Sequence, residues 1–205
     1  MKQIFRKFFR RDEGAVTVET SLTIMVLIIL TGGSIEAGYA FYQYNSAQQA
    51  VRMGARIAAT SDPVATTVST MTGLSNSVSQ GEAFPNYEVT CRADTQSCSQ
   101  GSYDARAMQR IVYGPDEDGT CAATSRSRRG MCDVFDDTER ARVDVAYISS
   151  GLGTAGYQAD AAPLVSVTLR EVPINFVFLD LVGLNGLIHL PPVEATLMGE
   201  DLKNG

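Results

Sequence analysis

Residues Gly14 to Ile35 constrain this chain more than any other stretch, because GAVTVETSLTIMVLIILTGGSI carries a single ionisable side chain, Glu19. A run of this length can cross a bilayer, which takes about 20 residues of helix. Secretory signals have shorter apolar cores, about 7 to 15 residues, so the helix is expected to be retained. A carboxylate within it is costly, on the order of 2.5 to 3.5 kcal/mol for Asp at the centre of a membrane helix, and calls for a partner. Ahead of the run, Lys2, Arg6, Lys7, Arg10 and Arg11 face only Asp12 and Glu13, a net +3. Positive charge beside a span holds that end in the cytoplasm. Residues 1–14 read as a basic leader, and the part beyond the span as exported.

That remainder has the opposite character. Without residues 1–14 the chain holds 12 basic and 21 acidic side chains, a net −9. Nucleic acids and anionic membrane surfaces attract clustered Lys and Arg, so neither is expected as a partner. The four cysteines, Cys91, Cys98, Cys121 and Cys132, all follow the span, where an oxidising compartment favours disulfides. Their spacing does not suggest zinc, and His189 is the sole histidine. Two disulfides are expected. Of three connectivities the near-neighbour pairs, Cys91 with Cys98 and Cys121 with Cys132, are favoured over buried thiols.

Helical periodicity outlasts the membrane segment. Ala37, Ala40, Phe41, Tyr44, Ala47, Ala50, Val51, Gly54, Ala55 and Ala58 form an apolar stripe, with Gln43, Asn45, Gln48, Gln49, Arg52 and Arg56 opposite. One helix is expected from Val16 to Ala59, about 65 Å at 1.5 Å per residue. Gly32, Gly33 and Gly38 are places for bending or close approach, and Tyr39, Tyr42 and Tyr44 suit the outer interface. Asp62-Pro63 predicts a second helix to about Gln80. A strand over Phe84–Arg92, a short helix over Ala105–Tyr113 and an aperiodic excursion over 114–139 follow. Three further strands are expected at Arg142–Ser149, Leu164–Val172 and Val193–Met198. The fold class is α+β: a long N-terminal transmembrane helix (15–60 after the leader) continues into an exported domain (61–205). There a small antiparallel sheet buries one face against the outer half of the helix. Residues Ile174 to Leu190 read as a core helix capping the sheet, or as a patch meeting a membrane or partner.

Gly14, Ala15-Val16-Thr17-Val18 and Glu19, with basic residues before and an unbroken apolar helix after, resemble the type IV prepilin processing site. QQAVRMGARIAA, from Gln48 to Ala59, is similar to the helix end of TadE-like proteins, the pseudopilins of the tight-adherence (Tad, or Flp) pilus system. The closing Glu194 to Glu200 is loosely like the end of such proteins. The resemblance implies cleavage between Gly14 and Ala15 by a prepilin peptidase, with Glu19 needed for processing or assembly. It also implies packing with other pilins or pseudopilins through the N-terminal helix, and contact with the assembly platform of the bacterial inner membrane. Thr20 stands where the major Tad pilin carries an aromatic residue, and that subunit is much shorter, so a minor, accessory pseudopilin is the implied role. Cleavage would place an α-amino group at Ala15, one turn from Glu19. Pairing Glu19 with the equivalent amine of a neighbour would relieve both charges and set the axial register of packed helices.

No catalytic constellation is expected. His189 lies between Ile188 and Leu190 without a nucleophile signature. Asp116, Glu117 and Asp118 lack the spacing of a calcium loop, Arg126, Arg128 and Arg129 are offset by nearby acids, and no phosphate-binding glycine loop or cofactor motif occurs. Two rivals remain: an unprocessed, signal-anchored envelope protein with a periplasmic binding domain, and a secreted enzyme cut after Ala40.

Overall fold

The computed structural model describes residues 12–114, 121, 129–139, 142–156, 162–172, 176, 191–199 and 202. The basic leader before Asp12, half of the 114–139 excursion including Asp116–Asp118, and nearly all of the 174–190 stretch with His189 lie outside them. The first element, α1, is one helix over Asp12–Ala59. It begins two residues ahead of Gly14 and runs unbroken through Gly32, Gly33 and Gly38. Its residues up to Tyr42 and those from Gln43 onward fall into different compact units. Thr60 Oγ1 and Ser61 Oγ donate to the carbonyls of Arg56 (2.9 Å) and Ile57 (2.5 Å) at its C-terminus. Pro63 then prevents continuation, since the residue before a proline avoids helical backbone.

The second unit is built on a five-stranded antiparallel sheet. Its strands are β1 (Glu88–Arg92), β2 (Ser97–Cys98), β3 (Arg142–Ser149), β4 (Pro163–Arg170) and β5 (Val193–Met198). They lie in the order β2-β1-β3-β4-β5. Alternation decides the faces. Val89 and Cys91, Val143, Val145 and Tyr147, Val165, Val167 and Leu169, and Val193 are buried. They share one hydrophobic cluster with Ala47, Ala50, Val51, Ala55, Ala58 and Ala59 of α1. The sheet is therefore buried against the outer part of the first helix, as its alanine-rich stripe predicts. Gly54 shows why that stripe is small: a Cβ there would lie 2.8 Å from Met131 Cγ and 3.4 Å from Ile111 Cγ2. The stripe is shorter than its periodicity suggests, because Phe41 is 69% exposed whereas burial is dense from Ala47. Gln43, expected on the polar side, is buried, and Tyr44 packs on the core while its hydroxyl accepts from Gln48 Nε2 at 3.0 Å.

The short helix α2 occupies Ala105–Tyr113 with the predicted bounds. Asp104 Oδ1 accepts the N–H groups of Arg106 (2.8 Å) and Ala107 (3.2 Å), an N-cap satisfying two of the orphan donors. Gly114 ends it at φ 94°, its N–H bonded to the Arg110 carbonyl. Ala107, Met108, Ile111 and Val112 are the buried face.

The helix expected over Asp62–Gln80 does not form; the segment holds only a 3₁₀ turn at Val68–Thr70. Its backbone is engaged by distant chain instead. The Val64 N–H donates to Tyr147 Oη at 2.9 Å, the Thr66 N–H to the Ser102 carbonyl, and the Val64 carbonyl accepts from the Asp104 N–H. Ser69 and Thr70 bond back to the carbonyls of Thr66 and Thr67, the local competition that disfavours helix in Ser/Thr-rich segments. Gly73 sits at φ +66° with Phe84 in the space of a Cβ. The predicted strand over Phe84–Arg92 is confined to Glu88–Arg92, and the two-residue β2 was not expected.

Candidate functional site

Gly14, Ala15 and Glu19 lie in the first turns of α1, and Ala15 precedes Glu19 by four residues, about one turn of helix. The helix from Val16 is long and apolar enough to cross a membrane, and its most apolar 18-residue window is only 6% buried. That exposure separates it from the core helix of a water-soluble fold, which would be covered. Five hydroxyls within it are satisfied by the helix itself. Thr20 Oγ1 donates to the Val16 carbonyl, Ser21 Oγ to Val18, Thr23 Oγ1 to Glu19, Thr31 Oγ1 to Leu27 and Ser34 Oγ to Leu30, at 2.7 to 2.9 Å. Such internal bonding lets Ser and Thr enter a membrane without unpaired donors.

Glu19 differs. Its side chain is exposed among Val16, Val18 and Leu22. The nearby Thr23 proton is directed to the Glu19 carbonyl, not to its carboxylate. Among the described residues no ion pair or hydrogen bond engages that carboxylate. An acceptor with four lone-pair sites, on an apolar face of a membrane-length helix, is chemically a socket for a cation from elsewhere.

The sheet domain supplies stability and surface. Cys91 and Cys98 are directly paired across β1 and β2 and form a disulfide. Cys132 is buried, with its N–H donating to the Val112 carbonyl at 3.0 Å, and Cys121 is half-buried. On the sheet face away from the core, Asp144 Oδ2 lies 2.6 Å from Arg170 Nε, and Asp144 Oδ1 accepts from Arg170 Nη2 at 2.9 Å. This fork pushes the Arg170 pKa further above its ordinary value. Arg142 joins Glu171 at 3.1 Å and Asp94 at 3.8 Å. A cavity of about 440 Å³ opens beside α2, walled by Tyr103, Met108, Val112 and Tyr113 with Asp94 and Arg142 among its polar lining. What sequence reasoning missed is the part played by the Tyr147 hydroxyl. The residue is fully buried on β3, its hydroxyl holds the Val64 N–H, and burial pushes its pKa well up. A tyrosine at an inward position of a strand was the available signal, since a buried hydroxyl requires a partner.

A long apolar helix leading into an antiparallel sheet defines an α+β protein with a single candidate membrane span among the described residues. Residues 14–56 match the family model described as TadE-like protein. Over this segment the chain is similar to TadE-like proteins. The match starts at Gly14 and ends within α1, so the sheet lies outside it. No curated protein and no solved structure matches the chain.

Proposed function

We propose that this protein is a minor pseudopilin that takes part in assembling or anchoring a Tad/Flp-type pilus after a prepilin peptidase cuts between Gly14 and Ala15. The observation that carries the reading is the Glu19 carboxylate, without a partner among the described residues, on an exposed apolar helix whose TadE-like segment begins at Gly14. Removing residues 1–14 creates an α-amino group at Ala15, and the Glu19 carboxylate of one subunit takes the amine of its neighbour. Two costly charges are then neutralised together, and the helices can pack at one axial offset only. The protein lies in the bacterial inner membrane with its sheet domain exported, where Cys91–Cys98 is oxidised and Cys121 pairs with Cys132. Its partners are the peptidase, other pilins or pseudopilins and the assembly platform, and its work is interaction, not catalysis.

A rival reading, an unprocessed anchored envelope protein with a binding domain, draws on two observations: the Gly14–Ala15 bond lies in helical backbone, and the cavity beside α2 offers a binding concavity. The N-terminal residue and intact mass of the protein from membranes, with and without the host's prepilin peptidase, separate the two. A peptidase-dependent start at Ala15 is expected. A start at Met1 in both strains overturns the proposal.

A further inference from the structure

The sheet ends at β5, and among the described residues no strand pairs with its outer side. Gly199 donates its N–H to the Pro163 carbonyl at 2.7 Å, and the register continues with Leu197 opposite Val165 and Ala195 opposite Val167. Antiparallel strands alternate bonded and non-bonded pairs, so odd-numbered residues of β5 bond to β4 while Glu194, Thr196 and Met198 turn their N–H and carbonyl groups outward. Among the described residues nothing bonds to these groups. The usual guards of an edge are lacking: β5 contains no proline, lysine or arginine. Its one charge is drawn away, because the Glu194 carboxylate accepts from Ser166 Oγ at 2.5 Å over β4. Leu197 and Met198 are 39% and 44% exposed.

The strand is complementary to itself. In an antiparallel pairing of two β5 strands centred on Thr196, Thr196 faces its own copy, Glu194 faces Met198 of the second copy, and Ala195 faces Leu197. All three open residues on each strand then exchange backbone bonds, and no like charges meet. A register centred on Ala195 leaves Met198 opposite Pro192, which has no N–H, and one centred on Glu194 sets two carboxylates face to face. We propose that the β5 edge joins two copies of this chain, antiparallel and centred on Thr196, into one continuous sheet.

The test uses the protein as it occurs in its host membrane. Backbone-bonded antiparallel partners lie about 5.5 Å apart at Cα, within disulfide reach. Under mild oxidation Thr196→Cys is expected to yield a cross-linked dimer of twice the mass of the membrane-isolated monomer, absent from the wild type. Glu194→Cys and Met198→Cys are expected to cross-link when co-expressed and not singly. Thr196→Pro removes the outward N–H at a site where an edge strand tolerates proline. It removes two inter-strand bonds per dimer, so the dimer measured by light scattering in detergent should weaken roughly tenfold or more. No Thr196→Cys cross-link, equal cross-linking at all three single sites, or a cross-link to a different protein overturns the proposal. An unweakened Thr196→Pro dimer does so as well.

Discussion

Replacing Tyr147 by phenylalanine tests whether the chain leaving α1 is held by the hydroxyl at the middle of the sheet. The Val64 N–H and the Tyr147 ring are both fully buried, and the 2.9 Å bond between them is that donor's partner. The phenylalanine ring would keep the packing and leave the amide unsatisfied, a loss of about 1 to 3 kcal/mol. The same hydroxyl has a pH signature. Burial raises its pKa from 10.0, so the folded state keeps the proton that the unfolded state releases above that value. The stabilisation is whole below pH 10 and declines as pH rises toward the folded pKa, by about 1.4 kcal/mol per unit. Urea denaturation of the detergent-solubilised wild type and Tyr147→Phe should therefore differ by about 2 kcal/mol at pH 8. The gap should shrink by about 1.4 kcal/mol by pH 11. Half-buried Tyr87 and Tyr103, also raised, are common to both proteins and cancel. Equal stability at pH 8, or a gap unchanged at pH 11, would refute the reasoning.

Glu19→Ala removes a carboxylate that costs the isolated span several kcal/mol; it should leave the protein in the membrane fraction while abolishing its contribution to pili, counted by microscopy. Normal piliation would remove the role given to the charge. Gly54→Ile drives a branched side chain into Met131 and Ile111 and should cost about 1 to 3 kcal/mol, seen as a lowered urea midpoint, whereas Gly33→Ile, with open space around it, should not move that midpoint. Reduction of Cys91–Cys98, seven residues apart, should cost about 2 kcal/mol through the unfolded chain. Non-reducing peptide mapping should recover that pair and Cys121 joined to Cys132.

What could be read from the residues was whatever is decided locally. Asp104 and Gly114 bracket α2 within their own turns, and β3 and β5 alternate over six to eight residues, so these elements were visible with their bounds. Glu19 stood out because one charge in an apolar run needs no tertiary context. The misread Asp62–Gln80 segment has a proper helix start, yet Tyr147, Ser102 and Asp104, tens of positions away, take up its backbone groups. Partners at that distance leave no trace in local periodicity. Strand β2 is too short to alternate, and the openness of β5 follows from strand order, which no single segment encodes. Gln43 is polar by composition and buried by position, a conflict visible only once the sheet domain is in place.

The bond from Val64 to Tyr147 also bears on how this molecule carries load. If α1 is pulled along the membrane normal, tension passing the end of the helix at Ala59 reaches Val64 five residues later and enters the sheet at β3. That strand is flanked on both sides by β1 and β4. Extracting a central strand breaks two ladders of backbone bonds, whereas an edge strand is held by one. The chain leaving α1 is thus tied to a strand held on both sides, and the stripe from Ala47 to Ala59 packs into the same core.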